Sequence, residues 1–116
     1  MTLSEKQRLF AKLLGQFLVW IYEQPGHEVV GGEWQRSKAQ AEANAVSGAG
    51  IANSLHLKCL AVDLSLFTDG TYQTETPAYQ ALGDYWKTLH PLCRWGGDFK
   101  SRPDGGHFSI EHEGVK

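Results

Sequence analysis

Residues 59–67 alternate without a break. Leu60, Val62, Leu64 and Leu66 fall on one side, and Cys59, Ala61, Asp63 and Ser65 on the other. A period of two is the mark of a β-strand with one apolar face, so the chain must also supply a layer that covers that face. Leu9, Phe10, Leu13, Leu14, Phe17, Leu18 and Ile21 recur at spacings of three and four. They form one stripe on a helix of about five turns, with Ser4 as its N-cap and Pro25-Gly26 as its stop. Ala78, Leu82, Tyr85, Trp86 and Leu89 form a second stripe, and Pro77 suits that helix's first turn. Residues 27–35, with Val29, Val30 and Trp34, predict a strand interrupted by a bulge at Gly31-Gly32. Ser37 caps a further helix to about Val46, and Ser47-Gly48-Ala49-Gly50 is a flexible connection. Asp69-Gly70 predicts a tight hairpin. Residues 95–106, rich in Gly and Pro, read as an ordered loop before a last strand over 107–112. Strands and helices do not alternate as βαβ units. The expected fold is therefore α+β: one domain over residues 1–116, with a small antiparallel sheet flanked by helices.

Composition narrows the function classes. With 116 residues the chain can bury a core without disulfide staples. A net charge of −2 and the absence of any Lys/Arg run argue against a nucleic-acid partner. Cys59 and Cys93 are too few for a disulfide framework and read as free thiols. The apolar run 17–21 is short and interrupted upstream by Glu5, Lys6, Arg8 and Lys12, so neither a membrane span nor a signal peptide is expected. A monomer is the default.

The chemistry concentrates in two distant clusters, one from Ser54 to Asp63 and one from Trp95 to Phe108. Asp63 sits mid-strand among small neighbours, where a carboxylate is costly unless its charge is compensated. A bound cation would compensate it; an open, wet sheet face would as well. His56 lies seven residues before Asp63, a span of about 23 Å if fully extended. If both bind one ion, Leu57-Lys58 must turn and bring His56 back over Asp63. His107 opens the last strand behind Asp104-Gly105-Gly106. The glycines permit a path that sets Asp104 beside a metal held by His107, where its carboxylate can take a proton from water and pass it to a leaving amine. Alternatively, Asp-Gly-Gly is an ordinary turn. Two histidines, one carboxylate and a vacant fourth position make up a catalytic zinc site.

These residues resemble the zinc peptidase family of D-alanyl-D-alanine carboxypeptidases and dipeptidases, which also contains the L-alanyl-D-glutamate endopeptidases of bacteriophage lysis. The family's signature is Ser-x-His-x6-Asp followed by Asp/Glu-x-x-His. It is matched by Ser54, His56 and Asp63, then by Asp104 and His107. Ala61-Val62-Asp63-Leu64, Trp95-Gly96-Gly97-Asp98-Phe99 and Gly32-Glu33-Trp34-Gln35-Arg36-Ser37 extend the likeness over roughly residues 28 to 110. Length and spacing look most like the phage endolysin branch. The resemblance implies a Zn²⁺ ion on His56, Asp63 and His107, with Asp104 as general base. It also puts Arg36 near the metal to stabilise an oxyanion or hold a substrate carboxylate, Ser54 in support, and Gln40 as a weaker candidate. Two departures leave the ligands intact: Cys59 where relatives carry Gly, and Gly106 where many carry Pro.

The activity so implied is hydrolysis of a peptidoglycan stem-peptide bond, L-Ala–D-Glu, by an enzyme that accumulates in the host cytoplasm and reaches murein after the membrane is opened. A D-Ala-D-Ala carboxypeptidase or dipeptidase shares the fold. So do hedgehog-like domains, which keep zinc and serve recognition; the retained Asp104 argues against that last reading. His27 and His90 lie near element ends and read as surface or capping residues, and His112 alternates with Ile110 and Phe108 and should face away from His107. Trp95 and Phe99 could line a cleft or pack.

Overall fold

The computed structural model describes residues 1–35, 39, 43 and 54–116. The expected helix from Ser37, the 47–50 connection, Arg36 and Gln40 lie outside the described residues, apart from Ala39 and Ala43, which are helical. Helix α1 spans Leu3–Glu23. Its cap is Thr2 rather than Ser4: the Thr2 hydroxyl accepts from the Glu5 N–H, and the Glu5 carboxylate accepts from the Thr2 N–H, a reciprocal capping box. Ser4 has Gln7 three positions on, but that side chain is engaged elsewhere, its amide donating to Lys58 O at 2.9 Å. The stripe is as expected, with Phe10, Leu13, Leu14, Phe17 and Ile21 buried.

Strands β1 (His27–Gly31), β2 (Ala61–Thr68), β3 (Thr71–Tyr72), β4 (Cys93–Trp95) and β5 (His107–Ile110) form one antiparallel sheet. The order is β1-β2-β5-β4, with β3 hairpinned onto β2. Asp69 and Gly70 both take positive φ, the type I′ turn that Asp-Gly favours. Beyond Gly31 the ladder continues irregularly: Gly32 N–H donates to Asp63 O, and Asp63 N–H donates to Glu33 O. Two residues thus face one, the bulge expected at the glycine pair. A side chain at Gly32 would meet Asp63 O at 3.0 Å, so glycine allows the close approach.

Helix α2 (Gln80–Leu89) is preceded by a 3₁₀ turn, Thr76–Tyr79. The tighter turn rotates the stripe, so Tyr79 is buried and Ala78 is exposed. Tyr79 OH donates to Gln73 O and accepts from Leu66 N–H, and burial raises its pKa. Both helices cover the apolar face of the sheet. Phe10, Phe17, Leu60, Leu82, Trp86, Phe108 and Ile110 are fully buried there, each contributing about 1.5–3 kcal/mol. The indole of Trp86 ties the layers together, its N–H shared between Arg94 O and Ser109 O at 3.0 Å. β4 lies between the helix stripe that ends at Leu89 and the loop expected from residue 95, where the sequence predicts no element. It is three residues long, too short for its alternation to register. Cys93 on it is buried, which pushes its thiol pKa up to about 12.

Candidate metal centre

The register of β2 and β5 sets the centre. Asp63 pairs directly with His107, and directly opposed residues project from the same face. His56 reaches that face by the reversal its spacing demanded. Leu55–Lys58 is a 3₁₀ turn whose N-cap, Ser54, accepts from His56 N–H at 3.2 Å. Cys59 then takes a left-handed conformation, φ 54°, and Leu60 N–H closes back on Leu55 O. Cys59 is therefore a turn residue and not the first residue of the strand. A left-handed residue is where glycine is the unstrained choice.

His56 Nε2 lies 3.4 Å and His107 Nδ1 3.5 Å from Asp63 Oδ1, and one ligand atom from each residue lies within 4.8 Å of the others. The outward nitrogens face backbone carbonyls: His56 Nδ1 sits 3.3 Å from Trp34 O, and His107 Nε2 3.4 Å from Lys116 O. A main-chain oxygen only accepts, so a ring that bonds it in the neutral form carries its N–H on the outward nitrogen and turns the lone pair of the other nitrogen inward. Those lone pairs face a carboxylate oxygen that is itself buried without a hydrogen-bond partner. Such an arrangement is repulsive until a cation sits between the donors. Two donors bound to one tetrahedral metal at about 2.0–2.1 Å lie about 3.3–3.4 Å apart, close to both contacts to Asp63. The residues therefore fit a divalent ion. Protonated imidazoles act in the same sense as a cation: burial raises the Asp63 pKa, and hydrogen bonds and positive charge from His107 and His56 in their protonated form more than reverse that, leaving it well below the usual carboxylate range.

Asp104 is exposed on the loop before β5. Its N–H donates to Gly96 O at 2.9 Å, and its O accepts from His107 N–H at 3.2 Å, which fixes its backbone beside the centre. Trp95 packs rather than lines a cleft. It is buried, its N–H donates to Gly105 O at 2.8 Å, and its ring is seated where side chains at Gly83 and Gly97 would collide with it. Phe99 is half-buried with its ring 5.4 Å from that of His107. His90 caps α2 and accepts from Leu92 N–H; His27 faces Pro25 O; Lys6 Nζ donates to His112 Nδ1.

The family model described as D-alanyl-D-alanine carboxypeptidase matches residues 47–110, more than half of the sequence. The chain belongs to this family. The expected zinc peptidase family is thus borne out. No curated protein matches the chain. Among solved structures, the L-Ala D-Glu endopeptidase ChiX of Serratia marcescens superposes with a TM-score of 0.74 at 21% identity, over 93% of this chain and 85% of that one. At that identity the likeness shows a shared fold, and the expected α+β architecture with its antiparallel sheet is the one observed.

The sequence does not mark Trp34 and Lys116 as partners of the two histidines. They act through backbone carbonyls, which no residue type announces. Gly96 was read as part of a loop; a Cβ there would lie 2.2 Å from Asp104 O and 2.7 Å from His107 Cβ.

Proposed function

We propose that the chain is a zinc-dependent peptidoglycan peptidase of one domain, residues 1–116, which hydrolyses the L-Ala–D-Glu bond of the murein stem peptide. The observation that carries this reading is the convergence of His56, His107 and Asp63 on one buried, unpartnered carboxylate oxygen, in a chain of a peptidase family. Zn²⁺ held by these three donors would polarise the scissile carbonyl and make water a nucleophile near neutral pH. The chain's own groups do the rest. Asp104, fixed by its backbone bonds to Gly96 and His107, accepts the water proton on its carboxylate and delivers it to the leaving amine. Arg36 holds a substrate carboxylate or the developing oxyanion. Asp63 and the two imidazoles keep their geometry through Trp34 O, Lys116 O and the bulge at Gly32. The biological setting we propose is a phage endolysin, a monomer made in the host cytoplasm and acting on murein once the membrane is breached. Among the described residues no helix is long and apolar enough to cross a membrane.

The test is digestion of purified murein with and without a chelator, with fragments identified by mass spectrometry. Release of fragments cut between L-Ala and D-Glu, abolished by chelation and restored by zinc, is the expected result. Release of terminal D-Ala would instead favour the carboxypeptidase reading that the family description suggests. Tight zinc binding with no cleavage would favour a recognition module. Asp104→Ala should keep zinc and lose about 10²–10⁴-fold in rate; a wild-type rate would remove Asp104 as the base.

A further inference from the structure

The segment after β5 does more than end the fold. His112 and Val115 exchange both backbone hydrogen bonds, at 3.0 and 2.9 Å, around Glu113 and Gly114. These two take φ 49° and 80°, the paired left-handed residues of a type I′ turn. The turn is pinned on several sides. Lys6 Nζ of α1 donates to His112, Arg94 on β4 pairs with Glu111 at 3.3 Å, and Val115 packs against the core. Its effect is to return the chain over β5 and deliver one atom, Lys116 O, to the site face. That carbonyl accepts from the Ser109 hydroxyl at 2.6 Å and lies 3.4 Å from His107 Nε2. Ser109 is fully buried and sits two residues along the strand from His107, on the same face.

We propose that the 111–116 turn is a positioning device for His107, with Ser109 as its clamp, and this rests on the metal-centre reading above. Lys116 O holds the N–H on Nε2, and so keeps the lone pair on Nδ1, directed at Asp63 Oδ1. Without the carbonyl the ring is free to change tautomer or rotate, and the centre loses one of its three donors. Outer contacts of this kind commonly hold 10–100-fold in metal affinity.

The experiment measures zinc affinity of the full chain by competition with a chromogenic chelator, alongside thermal unfolding of the metal-free protein. Gly114→Val puts a β-branched residue where φ is 80° and should open the turn; Gly114→Asn tolerates that conformation and should restore it. The expected result is 10–100-fold weaker binding for Gly114→Val, recovery in Gly114→Asn, and a several-fold loss in Ser109→Ala, which leaves the turn intact and removes the clamp. Should Gly114→Val fail to fold, Ser109→Ala carries the test. Wild-type affinity in the folded variants, with one zinc bound per wild-type chain, overturns the positioning role alone. Absence of zinc binding by the wild type overturns the centre itself and this inference with it.

Discussion

One chemical change, Gly→Ala, should have opposite effects at two places in this chain. At Gly96 the added methyl would lie 2.2 Å from the backbone oxygen of Asp104 and 2.7 Å from His107 Cβ. Neither neighbour is a flexible side-chain tip, so the loop carrying Asp104 or the start of β5 must move by roughly 1 Å to reach ordinary contact. Overpacking of this kind costs about 1–3 kcal/mol. At about 4 °C per kcal/mol for a chain of this size, the melting temperature should fall by about 4–12 °C. Because the displaced groups are the candidate base and a candidate ligand, zinc affinity and murein hydrolysis should fall as well. At Gly15, exposed within α1, a Cβ meets nothing within 4 Å. Alanine there removes only the helix penalty of glycine, a gain of about 0.5–1 kcal/mol, with activity unchanged. Scanning calorimetry of both variants beside the parent, each with and without zinc, reads the stability and zinc effects, and murein digestion reads the activity. A Gly96→Ala protein as stable and as tight for zinc as the parent would refute the argument that this close approach builds the site.

Two further perturbations read separate parts of the account. Cys59 holds φ 54° without being glycine, so Cys59→Gly should raise stability by about 0.5–1 kcal/mol with zinc affinity unchanged; a loss of zinc would make the thiol a participant in the site. The Asp63 carboxyl has a folded pKa below its unfolded value, because the facing imidazoles outweigh its burial. Its contribution is therefore present above about pH 4 and lost as pH falls through the folded value. Urea midpoints of the metal-free protein between pH 5 and 2 should thus fall more steeply in wild type than in Asp63→Asn, and parallel curves would contradict the shift.

The parts of the fold written in short-range pattern were legible. The α1 stripe, the β2 apolar face, the Asp69-Gly70 hairpin and the bulge at Gly31-Gly32 each follow from a local rule, and each is present. The reversal before Asp63 followed from a length argument alone, since no extended path could bring His56 near it. What failed depended on competition or on tertiary context. Thr2 displaced Ser4 through a partner three residues away. Cys59 continued the alternation on paper and became a turn residue because the chain had to reverse there. Tyr79 replaced Ala78 in the core because the first turn wound as 3₁₀. β4 exists only because β5 pairs with it. The outer contacts of the histidines come from backbone carbonyls of Trp34 and Lys116, 22 and 9 residues from the rings they face, and a sequence holds no local sign of them.

The most direct test of the central claim is anomalous scattering at the zinc edge from crystals of the full chain grown with zinc. The account predicts one strong peak about 2.0–2.2 Å from His56 Nε2, His107 Nδ1 and Asp63 Oδ1 together. A map with no peak among those three atoms, or with the ion bound elsewhere while the three donors keep their present spacing, would contradict it.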